Sequence, residues 1–144
     1  MNMFDLTGKI ALVTGGAHSI GFAIGRGLAL AGATVCFNCT SDRSRERGEA
    51  NYAAEGITAY GYVANVTSEE EMIALVAKIR EEHGIIDILV NNAGIIKRIP
   101  MLEMSVADFR EVVDVDLKPP SSAPRQFCPV CWKRAMARSS MSAP

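Results

Sequence analysis

Several things that this sequence lacks narrow its class before any motif is read. No apolar run approaches the length of a bilayer span, so no membrane segment is expected. The formal net charge is only −1, with the signs interspersed, which argues against a nucleic-acid surface. The N-terminus, MNMFDLTGK, lacks the basic-then-apolar shape of a secretory leader, and a cytoplasmic chain is expected. What is present suits a globular protein. At 144 residues, 49% hydrophobic and 22% charged, the chain can bury the core of one domain and no more.

Four cysteines fall as two C-x-x-C pairs, Cys36/Cys39 and Cys128/Cys131, a spacing that zinc sites use. The first pair ends a strand-like run, where residues three apart turn to opposite faces. A zinc knuckle needs both sulfurs converging on one ion. Neither a metal site nor a redox dithiol is expected.

The most informative stretch is Lys9 to Gly21, KIALVTGGAHSIG. An aliphatic, β-branched run stops at two glycines, and Gly21 opens a segment of helical period. Strand, tight turn and helix together make a phosphate cradle, because the turn aims backbone N–H groups and the positive end of a helix at an anion. Small residues matter there, since a Cβ would hold the ligand away from the backbone.

Beyond it the period keeps switching. Strands are expected at 10–14, 34–38, 57–64 and 86–90, and helices at 20–31, 44–54, 68 to about 82 and 105 to about 117. Ser68 followed by three glutamates reads as a capped helix start. Met72, Leu75, Val76 and Ile79 form a buried stripe, and Phe109, Val112 and Val113 are expected to face inward. The βαβαβαβα order implies an α/β fold, a Rossmann-type doubly wound parallel sheet stopping after about four strands. Ligands bind at the carboxyl ends of such strands, where the glycine turn and the loop Asn91-Asn92-Ala93-Gly94 both fall.

VTGGAHSIG followed by DILVNNAG resembles the short-chain dehydrogenase/reductase family, over residues 5 to about 117. Within it, DILVNNAGIIKRIPMLEMSVADFREVVDVDL looks most like gluconate 5-dehydrogenases, which interconvert gluconate and 5-ketogluconate. The 3-oxoacyl-carrier-protein reductases are close by pattern. The resemblance gives the pyrophosphate to Gly15, Gly21 and the backbone between them, including His18, Ser19 and Ile20. It assigns Asn91, Ala93 and Gly94 to the ribose and adenine side, with Asn91 also bracing the sheet, Asn65 to the adenine amino group, and Val66 to cofactor binding. Three positions depart from the family. Ser19 stands where a second glycine is usual, Asn65 replaces an Asp, and Asp116 replaces the Asn that supports the proton relay.

Cofactor choice turns on charge after the second strand. A carboxylate there binds the ribose hydroxyls and repels a 2′-phosphate. Here the segment is Phe37-Asn38-Cys39-Thr40-Ser41, with no acid before Asp42. Thr40 and Ser41 offer hydroxyls, Arg43 a cation, and His18 holds a position often basic in NADP users. NADP is therefore expected, with NAD as the alternative.

From Lys118 onward the sequence KPPSSAPRQFCPVCWKRAMARSSMSAP has no helical or strand period. Loss of one base in codon 118 is the expected cause, with a genuinely divergent C-terminus as the alternative. Shifting the frame back forces Leu in place of Cys128 and of Trp132, Glu in place of Lys133 and Gly in place of Ala137. Permitted codons spell NAPFISSKAVLPGMLEKGHGKIINVCS, an amphipathic helix, a glycine turn and a strand ending in Ser. The expected organisation is thus a cofactor-binding half over residues 1–117 and a non-native tail over 118–144. The family's Tyr-x-x-x-Lys is absent from the 144 residues: none of Tyr52, Tyr60 and Tyr62 has a lysine four positions on. The chain is expected to bind a small molecule but not to turn it over, so no catalytic residue is assigned. The other class is a non-catalytic nucleotide-binding fragment. Complete relatives form homo-oligomers, an assembly not expected to be preserved here.

Overall fold

In the computed structural model, residues 4–100 and 102–117 are described; the expected tail over 118–144 lies outside them. The elements run β1 (Ile10–Thr14), α1 (Ser19–Leu30), β2 (Thr34–Cys39), α2 (Asp42–Ala54), β3 (Ala59–Val63), α3 (Glu69–Glu82), β4 (Ile88–Val90) and α4 (Val106–Asp116). All strand pairs are parallel, in the order β3-β2-β1-β4. β3 and β4 are shorter than the apolar runs that announced them. In β4 only Ile88, Leu89 and Val90 find register partners, opposite Ala11, Leu12 and Val13.

Alternation along the strands divides two cores. On one face Ile10, Leu12, Cys36 and Tyr62 meet the α3 stripe of Met72, Leu75, Val76 and Ile79. On the other, Val35, Phe37 and Cys39 meet Tyr52 of α2 and Phe22 and Leu28 of α1. Cys36 and Cys39 therefore lie on opposite faces of the sheet. Burial pushes the Cys36 thiol up to about 12 and that of Cys39 upward, so both stay protonated.

Ser41, Ser68 and Ser105 cap α2, α3 and α4, accepting from the backbone N–H of Ser44, Glu71 and Asp108. Each of these helices also carries a carboxylate in its first turn, where the dipole favours it. In α4 the expected inward face is not realised. Phe109 is 60% exposed, Val112 and Val113 are half-buried, and the helix buries no residue fully. The 3.6-residue period was read correctly, but α4 meets too little of the described sheet to cover its apolar side.

Candidate functional site

A cleft of about 370 Å³ opens at the carboxyl ends of β1, β2 and β4. Its floor begins at Gly15, whose φ of +65° suits a residue without Cβ. Gly15 N–H donates to Asn38 Oδ1 at 3.0 Å, and Asn38 Nδ2 donates to the Ala64 carbonyl at 2.9 Å. This fully buried amide ties the turn after β1 to the end of β3. On the other face of the turn the Tyr52 hydroxyl donates to the Gly16 carbonyl at 3.0 Å. Burial raises that phenol to about 12, which keeps it a donor.

The N-terminus of α1 forms the cleft wall. His18 is its N-cap, with extended backbone and no side-chain cap, and no acid occupies the first turn. Helical bonding begins with Phe22 N–H to the His18 carbonyl, at 3.1 Å. The N–H groups of Ser19, Ile20 and Gly21 precede that first bond and mark the positive pole. Of the four described helices, α1 alone is left without a side-chain cap and without acid in its first turn, and its N-terminal residues line this cleft.

Ser19 has φ +52°, the single non-glycine residue at positive φ among those described. The family's usual glycine at this position thus has a backbone reason as well as a steric one. At Gly21 the reason is space. A Cβ there would lie 2.4 Å from the Gly15 carbonyl oxygen and 2.5 Å from Asn92 Nδ2.

The loop after β4 is fastened by Thr14. Its Oγ1 donates to the Val90 carbonyl at 3.3 Å and accepts from the N–H groups of Asn92 and Ala93 at 2.9 and 3.0 Å. Asn92 Nδ2 adds bonds to the carbonyls of Thr14 and Gly15 at 3.0 and 3.3 Å. The bracing expected of Asn91 therefore falls to its neighbour, because alternation turns Asn92 back toward β1 and leaves Asn91 exposed.

Of the residues singled out in the sequence, Gly15, His18, Ser19, Ile20, Gly21, Thr40, Asn65, Val66, Ala93 and Gly94 line the cleft. Ser41, Arg43 and Asn91 do not. The Ser41 hydroxyl is engaged as the α2 cap. Asn65 Oδ1 accepts from Thr67 N–H and Oγ1 at 3.0 and 2.9 Å, an Asx turn that already uses the expected adenine acceptor. Asp116 stands behind Gly94 and accepts from Ile95 N–H at 3.0 Å, so it shapes the loop. Asn38, Ser44, Asn92 and Val115 were missed. A lone amide at position 38 inside an apolar run was the available signal for the first.

A family model described as short chain dehydrogenase matches residues 9–138. The 2-dehydro-3-deoxy-D-gluconate 5-dehydrogenase of Formosa agariphila is 55% identical over 121 residues, 83% of this chain and 46% of that protein. The gluconate 5-dehydrogenase of Gluconobacter oxydans is 38% identical over 116 residues, 81% and 45% of the two. The crystal structure of 2-keto-3-deoxy-D-gluconate dehydrogenase from Streptococcus agalactiae is similar with a TM-score of 0.78 and 50% identity, over 88% of this chain and 47% of that one. A metagenomic short-chain oxidoreductase in complex with NADP gives 0.76 and 31%, over 86% and 57%. The chain spans about half the length of the relatives that it matches.

Proposed function

The chain belongs to the short-chain dehydrogenase family, and from that premise we propose that it forms the NADP-binding half of an oxidoreductase acting on a six-carbon sugar acid. The reaction is interconversion of a secondary alcohol and a ketone at C5, the position that the names of the two similar proteins share. The observation that carries the reading is the bare α1 N-terminus in the cleft, in a molecule that caps its other described helices with serine and acid.

The residues present fit the dinucleotide. Gly15, Gly21 and the backbone of His18, Ser19 and Ile20 would hold the pyrophosphate, with the dipole of α1 behind them. Asn65 and Val66 would flank the adenine end, and Ala93 and Gly94 the ribose nearer β4. Thr40 and His18, which line the cleft, would receive the 2′-phosphate. When bound, the cofactor supplies hydride at nicotinamide C4. No carboxylate stands among the described lining residues to repel the 2′-phosphate, and the complex of the metagenomic relative is with NADP. NAD remains the competitor that the test must include.

Titration of the 144-residue chain with NADPH, followed by nicotinamide fluorescence, is expected to give saturable micromolar binding. Turnover of 5-ketogluconate or of a 2-dehydro-3-deoxygluconate is expected to be nil, because no Tyr-x-x-x-Lys is present to exchange the alcohol proton. Absence of binding would overturn the proposal; turnover would overturn the assignment of a cofactor half alone.

A further inference from the structure

The first acid after β2 is Asp42, two residues beyond the cleft-lining Thr40 and two before the cleft-lining Ser44. Its carboxylate nevertheless does not line the cleft. It lines a separate groove of about 520 Å³, shared with Arg45, Gly61, Tyr62 and Lys78, on the β3 side of α2. Arg45 is what meets it there, with Nε 3.3 Å from Asp42 Oδ1.

Arg45 is itself fixed. Its stem lies over Gly61 of β3, where an added Cβ would come within 2.6 Å of Arg45 Cγ. Its other nitrogens reach Glu49 at 3.3 Å and Glu46 at 3.9 Å. Gly61 N–H in turn donates to Glu49 at 3.2 Å, so the guanidinium sits in an anchored frame. The hydrogen bond to Asp42 is also the leading reason that the Arg45 pKa lies above its ordinary value.

We propose that Arg45 is a specificity-determining residue, which favours NADP by holding the Asp42 carboxylate on the side of α2 away from the cofactor cleft. Asp42 is highly exposed and otherwise free to rotate. Released, its carboxylate could swing toward Thr40 and Ser44, where it would accept from ribose hydroxyls and oppose a 2′-phosphate. Arg45 thus acts through another side chain and touches no cofactor. The inference rests on the NADP reading above.

The test measures dissociation constants of the full chain for NADP and NAD, in wild type, R45M, D42N and the double variant. Methionine keeps a stem over Gly61 while removing the charge. Because the exposed pair is weak, R45M is expected to lower the NADP-over-NAD preference by about threefold. In the D42N background the same change should leave the preference unaltered. D42N alone should move it by less than about twofold, since its carboxylate already faces away. An unchanged preference in R45M, or an equal fall without the Asp42 charge, would overturn the role of Arg45 while the NADP reading stands. Should R45M fail to fold, a large gain in NADP preference in D42N would overturn the inference by itself, and a small change would support it. Wild type that binds NAD as tightly as NADP would overturn the reading and this inference together.

Discussion

β1 and β4 are near copies in composition, Ile-Ala-Leu-Val-Thr against Ile-Leu-Val, yet they live in different surroundings. Every residue of β1 is buried, with Ala11, Leu12 and Val13 at zero exposure, whereas all three residues of β4 are half-buried. The helices repeat the contrast. α3 buries four apolar side chains, while α4 buries none and leaves Val106 and Phe109 outside. The difference lies in neighbours. β1 has a strand on each side; β4 pairs only with β1 among the described residues. An apolar strand records the company for which it was selected, and only the local sheet decides whether it is covered.

Matched truncations sharpen this contrast most strongly. L12A should cost about 3–4 kcal/mol and L89A about 1–2, read as urea midpoints, because cavity cost follows local packing. Equal losses would break the comparison. N38A comes next. It strands the Gly15 N–H and the Ala64 carbonyl, and should cost about 2–3 kcal/mol as well as weaken NADP binding. S19G works in the other direction, relieving the positive φ and raising stability by up to about 1 kcal/mol in the same urea assay. The smallest effect is electrostatic. Lys9, and then the Ile10 N–H, holds Asp87 below the ordinary carboxylate range. On the β4–α4 side Lys97, then Ser105, holds Asp108 at about 2. Both carboxylates are depressed in the folded state, so their contribution is present above the ordinary value near pH 4 and is lost as pH falls toward 2. Acid titration of the unfolding midpoint should therefore flatten in D87N.

Much of the fold was legible because period and punctuation agree. The glycine turn after Thr14, Ser68 before its three glutamates and the α3 stripe each state their structure locally. The cleft was legible at Gly15, Gly21 and Gly94 for the same reason. Less legible was anything decided by a distant partner. Which of Asn91 and Asn92 braces the sheet depends on the pleat of β4 against β1. The engagement of Ser41 by α2, and of Asn65 by Thr67, is competition between local capping and ligand binding. Phe109 had the right spacing for a buried face and lacked a surface to meet.

The hydroxyl of Thr14 belongs to β1, yet it holds two amides of the loop after β4. Those amides are shielded from exchange with solvent by a buried side chain of the neighbouring strand. The loop that would face a cofactor thus keeps time with the core of the sheet instead of with its own exposed tip, and loosening it costs a breach at the centre of the molecule.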